Sequence, residues 1–203
     1  MAVTIDDIKK LKELTGVGLT DAKVALVEAE GDFDKALEAM RKKGLTKAEK
    51  KGDREARAGV IDAYVHDGRI GVVVELNCET DFVARLDDFK ALAHQIAMQV
   101  AAMSPQYPNE AAIPEEEKKR VRDEALASDA LKGKPADIAE KIVDGQVKKH
   151  FAEKVLTSQQ YILDDSKTVE QHIKENIAKM GENIVGGKGK RRGRHRDCDG
   201  LLL

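Results

Sequence analysis

The pattern of hydrophobic and polar positions changes its period along the chain, and its first part is helical. Apolar residues recur at helical spacing in three short runs within residues 1–44. Thr4 and Asp32 stand where helix N-caps belong. Thr20 opens the second run, and Gly44 closes the third. Because helices this short bury only a small core, we predict a three-helix module over residues 1–44 with no room for a catalytic cavity.

Residues 45–57 are charged and predict a linker, after which the period shortens to two. Two β-rich runs, VIDAYVH and RIGVVVELN, are separated by Asp67 and Gly68, a pair typical of a tight hairpin turn. The second run places its apolar residues on one face: Ile70, Val72, Val74 and Leu76. Alternation of this kind predicts a strand with one buried side.

Helical patterns dominate the next part of the chain. Apolar spacing predicts a long helix that ends at Met103, while Pro114 and Pro135 open two more. The segment TSQQYIL predicts a short strand, and DDSKT starts a last helix that Gly181 closes. Strands and helices in separate runs are typical of α+β folds, so residues 58–185 predict an α+β core in which an antiparallel sheet packs on helices.

The C-terminal segment, residues 186–203, differs in kind. It has a glycine pair, no hydrophobic period and a basic run over residues 188–196, a composition that predicts a disordered tail. The formal net charge is −2, but the tail carries six basic and two acidic side chains and leaves −6 for the rest of the chain. An acidic body argues against electrostatic binding of nucleic acid by the body itself.

Composition narrows the function classes further. Hydrophobic residues make up 41% and charged residues 35%, as in a folded domain, whereas aromatic residues are only 3%, too few for a surface that stacks nucleic-acid bases. The two cysteines, Cys78 and Cys198, form neither a disulfide framework nor a zinc motif. We see no targeting segment and no apolar run of membrane-spanning length, and we expect a cytoplasmic protein.

Motifs of known catalytic chemistry are missing from the sequence. It has no phosphate-binding glycine loop, no serine-nucleophile elbow and no zinc-binding histidine pair. Its five histidines are scattered, and His94 and His172 fit solvated or core-edge positions within helical patterns. We therefore expect no catalytic residue, no metal site, no cofactor and no enzyme activity.

One segment, LNCETDFVA at residues 76–84, is more informative. A β-rich strand ends there, and a Thr-Asp cap begins a helix with Phe82 directly after Asp81. Such a corner presents side chains from a rigid base, as binding sites often do. Two interpretations stay open from the residues alone. Asp81 and Phe82 form a binding edge, or Asp81 only complements the helix dipole and Phe82 belongs to the core.

The run NCETDFVAR resembles the signature of the bacterial elongation factor Ts family, in its short form. The N-terminal run KELTGVGLTDAKVALVEAEGDFDKALEAMRKKG is similar to that family's helical module, which is itself similar to a ubiquitin-associated domain. KAEKK resembles the family's linker, and GKPADIAEKIVDGQVKK and SKTVEQHIKENIAKMGENI resemble its later core helices. The resemblance extends, in order, from about residue 3 to about residue 185.

The resemblance implies a guanine-nucleotide exchange factor for elongation factor Tu. The family binds GDP-bound Tu, loosens the nucleotide and its Mg²⁺, and lets GDP leave during translation elongation. The residues that match its Mg²⁺-disturbing motif are Thr80, Asp81, Phe82 and Val83. Those that match its N-terminal contact with Tu are Lys12, Leu19 and Thr20. For two of these a structural interpretation also stays open, with Leu19 in the module core and Lys12 a solvated charge.

This chain resembles the short members of the family, which form homodimers that bind two Tu molecules. The resemblance therefore implies a dimer through the core sheet and a 2:2 complex.

The C-terminus departs from the family pattern. After Ile184 and Val185 the family continues into a final strand, whereas this chain enters Gly186 and Gly187. We expect the final strand to be lost, which would leave the core sheet with an open edge.

Two competing functions stay open. The basic run at residues 188–196 is able to bind RNA nonspecifically, as in an RNA-binding or ribosome-associated protein. A small enzyme has no motif in its favour. Deleting residues 186–203 separates exchange from RNA binding, because RNA binding would then vanish and exchange would survive.

Overall fold

The fold is known from a computed structural model, which describes residues 3–15, 17–128, 136–193 and 198–202. Helices and strands are mixed, as predicted for an α+β chain. The helices are α1 Ile5–Thr15, α2 Leu19–Glu28, α3 Phe33–Glu49, α4 Asp81–Ala84, α5 Asp87–Met103, α6 Glu115–Leu126, α7 Ala136–Ala152 and α8 Val169–Met180. The strands are β1 Ala58–His66, β2 Ile70–Cys78, β3 Gln160–Tyr161, β4 Asp164–Thr168, β5 Ile184–Gly193 and β6 Cys198–Leu202.

The first three helices pack around a small apolar core, as predicted. Its fully buried members are Leu11, Ala22, Ala25, Leu26, Ala36 and Met40. The predicted caps are confirmed, since the side chains of Thr4 and Asp32 each accept a hydrogen bond of 3.1 Å from the backbone N–H three residues on. The second helix begins at Leu19 rather than at Thr20, with Gly18 as its N-cap.

The prediction that Gly44 ends the third helix is wrong, because α3 continues to Glu49. Beyond Gly44 the helix keeps an inward-facing residue, Ala48, which is buried. A Cβ atom at position 44 would lie 3.4 Å from that of Ala178, so α8 passes close to the glycine. Tertiary packing thus holds a helix across a residue that disfavours it, and the predicted linker at residues 45–57 begins as helix.

The predicted hairpin is confirmed. Asp67 and Gly68 both have positive φ, at 50° and 62°, which a type I′ turn requires. The predicted apolar face of β2 is buried at Val72, Val74 and Leu76, which are at most 2% exposed.

A four-stranded sheet has the order β1-β2-β5-β6, and β3 pairs separately with β4. Strand β6 runs antiparallel to β5, with Lys188 opposite Leu202 and Arg191 opposite Cys198. The expectation that residues 186–203 are disordered is therefore wrong for the described residues. So is the expectation of a lost strand. Strand β5 starts at the buried Ile184 and pairs with the edge of β2 that was expected to be open. Backbone hydrogen bonds need no side chain, so glycines are able to form this strand.

Three further predictions need correction. The segment DDSKT forms strand β4 instead of a helix start, and α8 begins at Val169, whose N–H bonds the Gln159 carbonyl oxygen at 2.9 Å. Only Gln160 and Tyr161 of TSQQYIL form a strand. Pro114 is the residue before α6 rather than its first residue. Gly181, with φ of 81°, closes α8 as predicted.

The chain divides into two compact units. One contains Met1–Val60, Leu76–Leu92 and Glu170–Val185, and the other contains Ile61–Glu75, Ala93–Val169 and Gly186–Leu203. The first holds the N-terminal helices and the strand-to-helix corner. The domain boundaries expected at residues 44, 57 and 185 stay predictions.

Candidate partner-binding corner

The corner at residues 78–85 is built by a strand that ends and a one-turn helix that begins at once. Thr80 is extended, with φ −127° and ψ 157°, and its hydroxyl oxygen accepts a hydrogen bond from the Val83 N–H at 3.5 Å. This confirms Thr80 as the N-cap of α4. Val83 and Ala84 are each 7% exposed, so they anchor the inner side of the turn.

Phe82 lies on the outer side of α4 with 77% of its surface exposed. The interpretation of Phe82 as a core residue is therefore wrong. Its neighbour Asp81 is also on the surface, where its carboxylate forms an ion pair of 2.8 Å with the Arg85 guanidinium. The corner thus presents an aromatic ring beside a carboxylate, as a binding edge requires, and its role in binding stays a prediction.

Two carboxylates hold the corner to the end of α8. Glu182 accepts hydrogen bonds from the Thr80 N–H at 2.9 Å and from the Thr80 hydroxyl at 2.6 Å. In the opposite direction, Glu79 accepts one from the Asn183 N–H at 2.7 Å and lies 3.5 Å from the Arg54 guanidinium. Hydrogen bonds to charged acceptors are about twice as strong as neutral ones, so these bonds fix the base of the corner.

Asn183 extends this attachment to the segment that follows α3. Its side chain is 2% exposed and donates to the carbonyl oxygens of Gly52 at 3.1 Å and Arg54 at 2.7 Å. The Lys51 ammonium donates to the Gly181 carbonyl oxygen. Sequence patterns miss Glu182 and Asn183 as site residues, because they lie more than 100 positions from their partners Thr80 and Glu79 and only the fold brings them there.

Cys78 ends β2 at the start of the corner and is fully buried. Its thiol donates to the Thr80 carbonyl oxygen at 3.1 Å. Burial raises the pKa of the Cys78 thiol, and the negative charge of Glu182 adds to that effect. The group is therefore a neutral thiol at physiological pH and has a structural place in the corner rather than a reactive one.

Known proteins are similar to this sequence over most of its length. The family model described as elongation factor Ts matches residues 19–189. An elongation factor Ts of Thermotoga neapolitana is 52% identical over 185 residues, covering 91% of this chain and 93% of its own. One of Syntrophomonas wolfei is 50% identical, over 90% of this chain and 86% of its own.

The chain belongs to the elongation factor Ts family. Membership places it among the translation elongation factors, as the resemblance of NCETDFVAR implied. The family match contains both halves of the attachment described above, the corner at residues 78–85 and the α8 end at residues 181–183.

The three N-terminal residues that the sequence resemblance implied as contacts lie on the surface of the three-helix module. Lys12 is exposed in the last turn of α1, and Thr20 is exposed in the first turn of α2. Leu19 is 51% exposed, so its interpretation as a core residue is wrong. All three positions are open to a partner.

The remaining chemistry-bearing groups form no catalytic arrangement that we recognise among the described residues. His94 lies on the surface, where Nδ1 is 2.8 Å from the Asp62 carboxylate. In the described part of the chain, no three His, Cys, Asp or Glu side chains are grouped so that they could hold a metal ion. No described helix is long and apolar enough to cross a membrane.

Proposed function

We propose that this elongation factor Ts family member is a guanine-nucleotide exchange factor for elongation factor Tu. It binds GDP-bound Tu, disturbs the Mg²⁺ and nucleotide site, and promotes GDP release during elongation. The observation that carries the proposal is the 77% exposed Phe82 beside Asp81 on a corner held by buried residues and carboxylates. An exposed aromatic ring on a short helix that is held in place is suited to insert into the surface of a partner protein.

Phe82 supplies the apolar part of the proposed contact. Complete burial of a Phe side chain stabilises an interface by about 1.5–3 kcal/mol. Since the ring is already exposed on a short, anchored turn, little ordering is needed before it binds. Phe82 thus acts as a wedge between elements of Tu that border the nucleotide.

Asp81 supplies the polar part. Its partner in the free protein, Arg85, is 77% exposed, and ion pairs between exposed groups contribute about 0–1 kcal/mol. The carboxylate is therefore able to exchange Arg85 for polar groups of Tu at little cost. Mg²⁺ requires near-ideal octahedral coordination, so a small displacement of the groups around it weakens its binding.

Exchange requires no covalent chemistry from this chain, and we propose that it acts as no enzyme and carries no cofactor. Its effect is a coupling free energy between two ligands of Tu. By linkage, a factor that weakens GDP binding is itself bound more weakly when GDP is present. GTP entry then completes the cycle.

Two further contacts belong to the proposal. Lys12, Leu19 and Thr20 dock on the nucleotide-binding domain of Tu, which their exposure supports. A second copy pairs through the core sheet to give a 2:2 complex. In support, Ile61 and Val65 are exposed on one face of the edge strand β1, at 74% and 65%. Exposed apolar residues grouped on a sheet are typical of an interface.

The test is the release of fluorescent GDP from Tu at a chain concentration well below that of Tu. We expect release to accelerate with many turnovers per molecule of this protein, and the GDP recovered to be chemically intact. A release rate equal to that of Tu alone would refute the proposal. Breakdown of the nucleotide would refute the claim that no enzyme activity is involved.

A further inference from the structure

The corner and the segment that follows α8 are joined by hydrogen bonds in which each segment supplies one carboxylate acceptor to the other. The Glu182 carboxylate accepts from the N–H and the hydroxyl of Thr80, at 2.9 and 2.6 Å, and the Glu79 carboxylate accepts from the Asn183 N–H at 2.7 Å. We call this pair of crossed contacts the carboxylate clasp. It joins two segments 102 residues apart in sequence, and nothing in the local pattern of either segment requires it.

Glu182 controls the cap of α4 through the Thr80 hydroxyl. That hydroxyl donates its only proton to Glu182, which leaves the oxygen lone pairs to accept from the Val83 N–H. A helix of four residues does not form without such support, because helix nucleation is unfavourable. Glu182 therefore orients the group that begins the turn bearing Phe82.

The position of Glu182 is itself fixed on both sides. Before it, Gly181 adopts a φ of 81°, and its carbonyl oxygen accepts from the Lys51 ammonium. After it, the buried Asn183 is bound through its side chain to Gly52 and Arg54. These contacts fix the backbone on both sides of Glu182 and keep its side chain within reach of Thr80.

We propose that Glu182 is a positioning residue for nucleotide exchange. Through the clasp it keeps α4 folded and Phe82 directed outward before Tu arrives. The inference rests on the proposed exchange function. Without Glu182 the first turn of α4 opens, and the Phe82 ring spends part of its time against the protein surface, because burial of its apolar area is favourable. The protein then binds Tu less effectively while remaining folded.

Cys78 provides a readout that needs no partner protein. Its thiol is fully buried and bonded to the Thr80 carbonyl oxygen, so a thiol reagent reaches it only when the corner opens. The measurement uses the full chain with Cys198→Ser, which leaves Cys78 as the single thiol. Because the Glu182 charge also raises the pKa of the Cys78 thiol, labelling is followed over a range of pH, and a rate increase that persists at every pH reports the population of the open corner.

Three variants are compared in that background. Glu182→Ala removes both acceptors and should speed labelling by about tenfold, while Glu182→Gln keeps one acceptor and should give about threefold. Glu170→Gln is the matched control, since it removes a carboxylate from α8, the helix that precedes Glu182, and this carboxylate pairs with Lys174 at 2.9 Å, four residues away. It should leave labelling unchanged.

The same variants are then tested for GDP release from Tu. The proposal is supported if Glu182→Ala labels fastest and releases GDP most slowly, with Glu182→Gln between it and the unmutated protein in both measurements. Unchanged labelling in Glu182→Ala refutes the clasp, whatever the release rate. Faster labelling with release as fast as in the unmutated protein refutes the positioning role. If the unmutated protein fails to speed release while the variants label faster, the exchange function is refuted and the clasp remains. If Glu182→Ala does not fold, Glu182→Gln decides by the same criteria.

Discussion

Two phenylalanines at the start of the core region have opposite surroundings. Phe82 is 77% exposed on α4, whereas Phe89 is fully buried on α5. Helical spacing explains the burial of Phe89, because its apolar neighbours recur with it along α5. Helical spacing left the position of Phe82 undecided, because a single turn has no period. The family resemblance alone favoured an outward position for this side chain.

Replacing each phenylalanine by alanine should separate stability from binding. Phe89→Ala should lower the free energy of unfolding by about 3–5 kcal/mol, since it leaves a cavity in the core. Phe82→Ala should change it by no more than about 0.5 kcal/mol. Urea unfolding measures both. A large stability loss for Phe82→Ala would mean that the ring is packed.

Tyr107 should make stability depend on alkaline pH. Its hydroxyl donates to the Glu117 carboxylate, which, together with burial, raises the pKa of Tyr107 to about 12. The folded protein therefore holds this proton at pH values where the unfolded chain, with a pKa near 10, releases it. The stabilisation is complete below about pH 10 and is lost as the pH rises toward about 12.

Melting temperatures between pH 9 and 11.5 test this linkage. Over that range the melting temperature of the unmutated protein should fall further than that of Tyr107→Phe. Glu117→Gln should also flatten the dependence, because it removes the charged acceptor. Equal slopes in all three proteins would contradict the assignment.

At the scale of elements, helices and the hairpin follow from local pattern, while their ends depend on packing. The Asp67-Gly68 turn was predictable because positive φ at two adjacent positions is a local requirement. The end of α3 was not, since its continuation past Gly44 depends on contacts with α8. Strand β4 was missed for the same reason, because the charged segment DDSKT becomes a strand only by pairing with β3.

Two glycines within elements should respond oppositely to alanine. A Cβ atom on Gly145, inside α7, would meet no atom within 4 Å, so Gly145→Ala should stabilise the protein by about 0.5–1 kcal/mol. At Gly59 in β1 it would lie 2.3 Å from the Leu76 carbonyl oxygen, and Gly59→Ala should destabilise by about 1–3 kcal/mol. Thermal unfolding measures both, and a stabilising Gly59→Ala would contradict the close approach of β1 and β2.

At the scale of the whole molecule, the sheet could not be completed from the sequence. Glycines and basic residues after Val185 have the composition of a disordered tail, yet β5 and β6 continue the sheet beyond β2. Pairing with an existing strand edge supplies what local propensity lacks. A deletion of residues 186–203 would therefore remove most of two strands as well as the basic charge, so neutralising substitutions are the cleaner test of RNA binding.

The proposed dimer predicts a mass of twice 22.3 kDa in solution. Ile61→Lys places a charge on the exposed face of β1 and should shift the protein to a monomer, as measured by light scattering. Leu163→Lys, at a 58% exposed position between β3 and β4, is the matched control and should stay dimeric. A monomeric unmutated protein, or a dimeric Ile61→Lys variant, would contradict the dimer through this face.

We propose that the exposed corner of this elongation factor Ts family member carries exchange. The most direct measurement compares GDP release from Tu by the unmutated protein and by the double variant Asp81→Ala, Phe82→Ala. Asp123→Ala, Leu126→Ala is the control, since it removes a carboxylate and a 53% exposed apolar side chain from α6. We predict that the corner variant, folded as before, loses at least about tenfold in release rate and that the control does not. Equal rates for the corner variant and the unmutated protein would show that the corner does not carry exchange.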